Sequence, residues 1–330
     1  MKNGSARFDF FLNQCLTLIA KAAKQKDPGL WLYQNNFRTP IFMLEGLSKL
    51  YIDIHDKKKF SSLKEQFKII EDAIGAVDYY QSFAKELAQN EKIPAEAIQY
   101  LTDQATIKTQ SLNKLLIKEN WLTLENNRIS RIQKKLSKID WLKEKKEIKE
   151  INKFYGTAIY EIVEFAQATN FNFDNVEEDI HELRRKLRWL SIYPHALKGA
   201  IQLINSKNTP DHLSKYLTQE ITTSPFNKMP DVGDCKHFLL LEQNYFLALS
   251  WMIAELGKIK DNGLRIIVLK EALQQTSSIS DDDIDEMCYK ILGNKHPQLS
   301  SLLDAAEAIC RTYFSELNLE HLVVDTVTTE

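Results

Sequence analysis

The chain has few of the residues that interrupt helices: its 330 residues include only 10 glycines and 8 prolines. Proteins built from short strands and tight turns use both types more often, because turns need the backbone conformations that glycine and proline supply. Apolar residues instead recur every three or four positions along most of the chain, a spacing typical of amphipathic helices. The sequence therefore predicts an all-α fold.

Cysteines and long apolar runs are also scarce. The four cysteines are scattered, without a CxxC pair or zinc-finger spacing, which predicts buried thiols in a reducing compartment. No apolar run approaches the about 20 residues that cross a bilayer. The N-terminal segment does not resemble a signal peptide, since Asp9, Asn13 and Gln14 lie within its apolar part. We expect a soluble, cytoplasmic protein with no membrane partner.

The charges nearly cancel, because 43 basic and 45 acidic residues leave a formal net charge of −2. A protein with this balance does not attract polyanions over its whole surface, so an anion site would have to be a local patch created by the fold. Nucleic acid is not an expected partner, and the sequence gives no indication of a protein partner.

The helical pattern divides the chain into two halves, 1–150 and 151–330. In the first half it predicts helices near 30–52 and 59–91, then a long charged connecting helix between about 119 and 153. Its second half is expected to contain a helix near 155–169, a basic helix near 176–205, and later helices near 236–258, 263–276, 281–293 and 298–317. The final segment, "HLVVDTVTTE", is expected to be loose or to form an edge strand.

The basic helix contains the segment "EEDIHELRRKLRWLSIYPHALK", residues 177–198. Helical geometry places positions 181, 184, 188, 191 and 195 along one stripe, beside an apolar stripe of Ile180, Leu183, Leu187, Leu190 and Leu197. Arg184 and Arg188 stand one turn apart, and guanidinium groups match phosphate oxygens well. Asp174 or Asn175 is expected to cap the helix. The basic face is either solvated or directed at an anion.

An internal repeat is indicated when Arg38 is aligned with Arg184. The same order of segments then pairs Ile74-Gly75 with Leu256-Gly257 further along the chain. The charges differ between the copies, because the first copy has lost most of its cations. The positions that show this are Asn35 opposite His181, Pro40 opposite Lys186, Phe42 opposite Arg188 and Asp78 opposite Lys260.

The segment "DIHELRRKLRW", followed by "ELGKIKD", resembles the conserved histidine α-helical domain (CHAD) family. The resemblance implies two pseudo-symmetric helical bundles, each with an HxxR-type basic helix and an LGxxxD-type segment, packed around a central groove that binds inorganic polyphosphate. His181, Arg184 and Arg188 match the first motif, and Leu256-Gly257 with Asp261 matches the second. Arg38 matches the first arginine in the other half.

The sequence departs from the family pattern at several positions. Trp189 and Ser191 stand where basic residues usually continue, Asn35 replaces the motif histidine of the first half, and Asp78 occupies a position expected to be basic. These departures leave the second half with most of the expected cations. The candidate anion-binding residues are His181, Arg184, Arg185, Arg188, Lys258, Lys260, Arg38 and Lys49, with Lys186 and Lys198 as further candidates on the basic helix.

The expected function is non-catalytic binding of inorganic polyphosphate or another polyanion, without a cofactor or metal. Affinity would come from several lysines and arginines acting together, so binding should weaken with salt. The alternative is a helical scaffold or protein-interaction protein that has lost anion binding. A structure would separate the two by the electrostatic surface around Arg184 and Arg188.

Two short motifs also permit enzymatic interpretations. "DDDID" at 281–285 has the DDxxD spacing of magnesium-binding isoprenoid synthases, but Ser280 followed by acids is also typical of a helix start. Glu178 and His181 form one ExxH pair, half of a di-metal carboxylate site, but no second ExxH occurs and Arg184 would oppose a cation. We therefore expect no enzymatic activity.

Overall fold

The computed structural model describes residues 3–123, 127–206, 209–278, 280–293 and 296–328, and these are mostly helical. The helices are α1 (Asn3–Ala22), α2 (Pro28–Gln34), α3 (Arg38–Ile54), α4 (Lys57–Leu87), α5 (Ala95–Lys118), α6 (Arg128–Leu136), α7 (Glu144–Ala168), α8 (Glu182–Ala196), α9 (Gln219–Thr223), α10 (Gln243–Thr276), α11 (Asp281–Leu292) and α12 (Leu299–Ser315). Three short strands complete the fold: β1 (Ile201–Ile204), β2 (His237–Glu242) and β3 (Val323–Thr328). Within these ranges, none of the helices is both long enough and apolar enough to cross a membrane.

The chain forms two compact units that differ from the halves 1–150 and 151–330. The first unit combines Met1–Trp141 with Arg265–His296, and the second combines Leu142–Leu264 with Pro297–Glu330. The segment Arg265–His296 packs with the first unit through long-range polar contacts: Arg265 with Glu86, Asn90 with the Ile291 carbonyl, and Glu271 with Tyr80 and Tyr100. Periodicity marks this segment as helical but does not determine which core it joins.

Helices α3, α4 and α5 pack side by side in the first unit, and α1 lies against α3. Buried aromatic rings fill the space near the start of α1, where Phe8 contacts Tyr51, Phe60 and Trp141 at centroid distances of 5.6 to 5.8 Å. Gly4 allows this approach, because a Cβ there would lie 2.4 Å from the Trp141 ring. The aromatic cluster therefore joins α1 to α3, to α4 and to the segment that follows α6.

Two helices predicted as continuous are each broken in the structure. The helix predicted near 30–52 is α2 followed by α3, because Asn36 adopts a left-handed conformation with φ of 57°. The connecting helix predicted between about 119 and 153 is α6 followed by α7. The chain leaves helical geometry after Leu136, and Trp141 from the intervening segment is buried in the aromatic cluster.

The second unit contains a three-stranded sheet that the all-α prediction did not include. β2 is central, with β1 parallel to it on one side and β3 antiparallel on the other. The predicted helix near 236–258 was wrong at its start, because "HFLLLE" forms β2. The basic helix ends at Ala196 rather than near 205, since Lys198 and Gly199 both have positive φ and turn the chain into β1. The C-terminal segment is an edge strand, as one of its two predictions stated.

Candidate functional site

The basic helix begins at Asn175, one of the two residues that the sequence predicted as its cap. The side chain of Asn175 accepts hydrogen bonds from the amides of Glu177 and Glu178 at 2.7 and 3.1 Å. The first turn, Val176–His181, is a π-helix that continues directly into α8. Such wide turns are rare and often occur at functional sites. The predicted apolar stripe is confirmed, because Ile180, Leu183, Leu187, Leu190 and Leu197 are fully buried.

A proline near the end of α8 is accommodated by a tyrosine from α7. Pro194 has no amide hydrogen to donate to the carbonyl of Leu190, one turn earlier. The hydroxyl of the fully buried Tyr155 donates to that carbonyl at 3.0 Å instead. Since a buried carbonyl without a donor costs free energy, this bond fixes the position of the basic helix against α7.

Arg184 is the most constrained cation of the basic helix. Its Nε donates a hydrogen bond of 3.0 Å to the carbonyl of Ile253 in α10. The approach depends on Gly257, where an added Cβ would lie 3.0 Å from Nε and 3.3 Å from Nη2 of Arg184. Burial lowers the pKa of Arg184 from its usual value, and the nearby charge of Asp261 opposes that shift. Arginine remains charged at neutral pH all the same.

The guanidinium of Arg184 forms no salt bridge within 4.0 Å among the residues that the structure describes, and the Ile253 carbonyl is its hydrogen-bond acceptor there. A half-buried positive charge is normally balanced by a carboxylate, because desolvation is costly when no counterion compensates for it. Arg184 therefore retains donor capacity at its terminal nitrogens.

Two further candidates, His181 and Lys260, lie close to the same place. Nδ1 of His181 is 2.7 Å from a carboxylate oxygen of Glu177. That hydrogen bond lowers the pKa of Glu177, and the charge of Lys260 lowers it further. Lys260 is only 17% exposed and pairs with Asp261 at 2.8 Å. The structure thus brings His181, Arg184 and Lys260 together with two carboxylates, and we call these five residues the Arg184 cluster.

Three more of the candidate cations in the second unit form salt bridges with acids. These pairs are Arg185 with Glu182 at 2.7 Å, Lys186 with Glu182 at 3.7 Å, and Lys258 with Glu255 at 2.8 Å and Glu220 at 3.7 Å. Lys186 also lies over the ring of Phe165, 5.0 Å from its centroid. Exposed pairs of this kind contribute little to stability and are readily exchanged for other partners.

Arg188 is exposed one turn beyond Arg184 on the same stripe, as the sequence predicted. Lys198 is also exposed but follows the end of α8 with a φ of 50°. His195, the last member of the stripe, contacts the carbonyl of Phe226 through Nε2 at 2.9 Å. Of these three, Arg188 extends the basic surface directly from the Arg184 cluster.

Arg38 is held by carboxylates of its own unit. Its Nε donates to Glu71 at 2.7 Å and its Nη1 to Asp78 at 3.1 Å, both from α4. Gly75 lies between them, and a Cβ there would be 3.0 Å from Nη2 of Arg38. Asn35 is the C-terminal cap of α2 and does not share a helix with Arg38. Lys49 lies on α3, partly buried.

Sequence reasoning missed the residues that accept hydrogen bonds from Arg38 and Arg184. Glu71 and Ile253 occupy the fourth position before Gly75 and Gly257, and each supplies the acceptor for an arginine Nε. The signal was present in the sequence, because a mid-helix glycine exposes the backbone to close approach. Glu177, which the sequence analysis did not single out, binds His181.

Among the residues behind the two enzymatic interpretations, Ser280, Asp285 and His181 have other contacts, whereas the side chains of Asp281 and Asp282 lie outside the described part of the structure. Ser280 caps α11, where its Oγ accepts from the amide of Asp283, and Asp285 pairs with Lys270 at 2.6 Å. Glu177, rather than Glu178, binds His181. In the described part of the chain, no group of three or more histidine, cysteine, aspartate or glutamate side chains could hold a metal ion.

Comparison with family models, curated proteins and solved structures found no match for this chain. The segment "DIHELRRKLRW" contributes Arg184, and the segment "ELGKIKD" contributes Gly257, to the contact between α8 and α10.

Proposed function

We propose that the protein binds inorganic polyphosphate or a similar polyanion, without catalysing a reaction on it, at the Arg184 cluster. The supporting observation is that Arg184 is half-buried and forms no ion pair among the described residues. Phosphate oxygens would provide the acceptors that its terminal nitrogens lack, and such charge-assisted bonds are about twice as strong as neutral ones. A bound anion would also compensate for the cost of burying the guanidinium.

The cations around Arg184 are better placed to bind a chain of phosphates than a single phosphate ion. Arg188 lies one helical turn from Arg184, and His181 and Lys260 lie on the other side of it near Glu177. A linear polyanion could contact several of these positions at once, whereas one phosphate could not. The acids Glu177 and Asp261 would compete for the same cations, so the expected affinity is moderate and sensitive to salt.

We also propose that the chain contains two related helical bundles. In support, Arg38 and Arg184 each lie against a mid-helix glycine, Gly75 in α4 and Gly257 in α10. In each case the arginine Nε donates to an acceptor of the residue four positions before that glycine. A recurrence of both the contact and the spacing is expected of a duplicated unit.

The test is a calorimetric titration of long-chain polyphosphate into the wild-type protein and Arg184→Ala at low and moderate salt. Loss of charge-assisted bonds should weaken binding by at least about tenfold. Arg185→Ala is the matched control, because Arg185 is on the same helix and is exposed beside Glu182. It removes the same charge and should change affinity less than about threefold.

Salt dependence gives a second readout of the same experiment. If three cations contact the chain, a plot of log affinity against log salt should have a slope of about −2. In Arg184→Ala that slope should become less negative by nearly the amount that one ionic contact contributes. Equal affinities for the Arg184→Ala and Arg185→Ala proteins would contradict the proposed site.

The alternative is a helical scaffold that no longer binds anions. It is favoured by the pairing of Arg185, Lys186 and Lys258 with neighbouring acids, which leaves these cations partly neutralised. Absence of polyphosphate binding at low salt, by a protein that is folded by circular dichroism, would replace the proposal with this alternative.

A further inference from the structure

The two arginine–glycine contacts differ at the flanking positions of the glycine helix. Four residues before the glycine stands Glu71 in α4 but Ile253 in α10, and three residues after it stands Asp78 in α4 but Lys260 in α10. At both positions the first unit has an acid, and the second unit has an apolar or basic residue. The difference therefore changes the local charge without changing the contact between arginine and glycine.

The two acids accept hydrogen bonds from the guanidinium of Arg38, as a bound anion would. Glu71 accepts from Nε and Asp78 from Nη1, so carboxylate oxygens contact both sides of the guanidinium. Asp78 is held in place by further donors, the hydroxyls of Tyr33 at 3.1 Å and Ser82 at 3.3 Å. A phosphate approaching Arg38 would have to displace a fixed carboxylate and meet a local excess of negative charge.

We infer that Glu71 and Asp78 act as a built-in competitor that closes an anion site at Arg38, so that the protein takes its polyanion in the second unit alone. This inference rests on the proposed function of the Arg184 cluster for its physiological meaning. It assigns specificity to two acidic residues outside the basic helix, and it makes the binding stoichiometry one site per chain.

The test uses tripolyphosphate as the probe and isothermal calorimetry to count sites per chain. The variant Glu71→Gln/Asp78→Asn keeps the size of both side chains and removes both charges around Arg38. Glu65→Gln/Asp72→Asn is the matched control, because these acids of α4 pair with Lys64 and Lys68 and not with Arg38. Both double variants change the net charge of the protein equally.

The expected stoichiometry is one for the wild type and for the control, and two for Glu71→Gln/Asp78→Asn. The additional site should disappear when Arg38→Ala is added. If the double variant fails to fold, judged by circular dichroism, Asp78→Asn alone removes one of the two carboxylates. This single variant should then show a second, weaker site that disappears when Arg38→Ala is added, because one charge-assisted bond that competes with the anion is gone.

Arg184→Ala distinguishes failure of this inference from failure of the proposed function. Added to Glu71→Gln/Asp78→Asn, it should remove the second-unit site and leave the Arg38 site intact. If the double variant keeps one site and Arg184→Ala abolishes it, the inference about Glu71 and Asp78 is disproved and binding at the Arg184 cluster is supported. The opposite result is also distinguishable. If Arg184→Ala leaves the wild-type affinity unchanged while the double variant gains a site that is lost with Arg38→Ala, the inference is supported and binding at the Arg184 cluster is disproved.

The reciprocal change gives an independent check in the second unit. Lys260→Asp places an acid three residues after Gly257, as Asp78 stands three residues after Gly75. Tripolyphosphate binding should then fall by at least about tenfold, whereas Lys260→Met, which removes the charge without adding an acid, should have a smaller effect. Equal losses in the two variants would contradict the competitor mechanism.

Discussion

The guanidinium of Arg184 lies against the backbone of Gly257, close enough for a Cβ at that position to come within 3.0 Å of Nε. The absence of a side chain there exposes the preceding turn of α10, where the Ile253 carbonyl receives the arginine. This close approach joins a residue of the basic helix to one 73 positions further along the chain, and it determines where the positive charge lies.

Gly257→Ala should disturb this contact. Alanine normally stabilises a helix interior by about 0.5–1 kcal/mol relative to glycine. We expect this gain at Gly156 in α7, where an added Cβ meets nothing within 4 Å, but a smaller gain or a loss at Gly257. Polyphosphate affinity should fall at least about threefold in Gly257→Ala only. Chemical denaturation and calorimetry measure both effects, and identical behaviour of the two alanine variants would contradict the contact.

Glu45 should make stability depend on pH. It is only 5% exposed, and burial, reinforced by the charge of Glu71, raises its pKa to about 7. The folded protein therefore retains a proton that the unfolded chain loses above its ordinary pKa near 4.5. The stabilising contribution is complete below that pH and is lost as the pH rises through about 7, an effect of up to about 3 kcal/mol.

Glu45→Gln should remove this dependence, because glutamine cannot ionise. Relative to the wild type, the variant should gain free energy of unfolding between pH 5 and pH 8, as measured by urea denaturation at both values. Glu65→Gln serves as the control, since Glu65 is exposed and pairs with Lys64. A constant difference between Glu45→Gln and wild type across this range would show that Glu45 is ionised throughout.

Tyr155→Phe should destabilise the second unit by about 1–3 kcal/mol, because the buried carbonyl of Leu190 loses its donor. The loss should be smaller in a Pro194→Ala background, where the amide of residue 194 can donate to the same carbonyl. A double-mutant cycle by chemical denaturation measures this coupling. Additive effects of the two substitutions would mean that tyrosine and proline act independently.

Ser280→Ala should cost the first unit about 1 kcal/mol, since Ser280 caps α11. Ser111→Ala in α5 is a control without a capping role, because its hydroxyl donates to the Ile107 carbonyl on an exposed helix face.

Millimolar Mg²⁺ should leave the thermal midpoint of the wild type unchanged. Stabilisation by Mg²⁺ that disappears in Asp285→Ala would instead support the metal-binding interpretation of "DDDID".

Local signals were sufficient for several elements of the fold. The buried stripe from Ile180 to Leu197 was predicted correctly, and the caps at Asn175 and Ser280 were each one of two predicted alternatives, because each feature depends on interactions within a few turns of one helix. The strand β2 was predicted as helix, because its apolar run has the same composition as a buried helix and differs only in its pairing with β1 and β3.

The sequence by itself determined the helical character of the chain, the orientation of the basic helix relative to the core, and the position of Arg184 beside the buried apolar stripe. The tertiary structure decided which cations keep their charge available. Arg38 and Arg184 occupy similar sequence contexts, yet Glu71 and Asp78 contact the first and a backbone carbonyl contacts the second. Electrostatic interactions depend on distances between residues far apart in the chain, and only folding sets those distances.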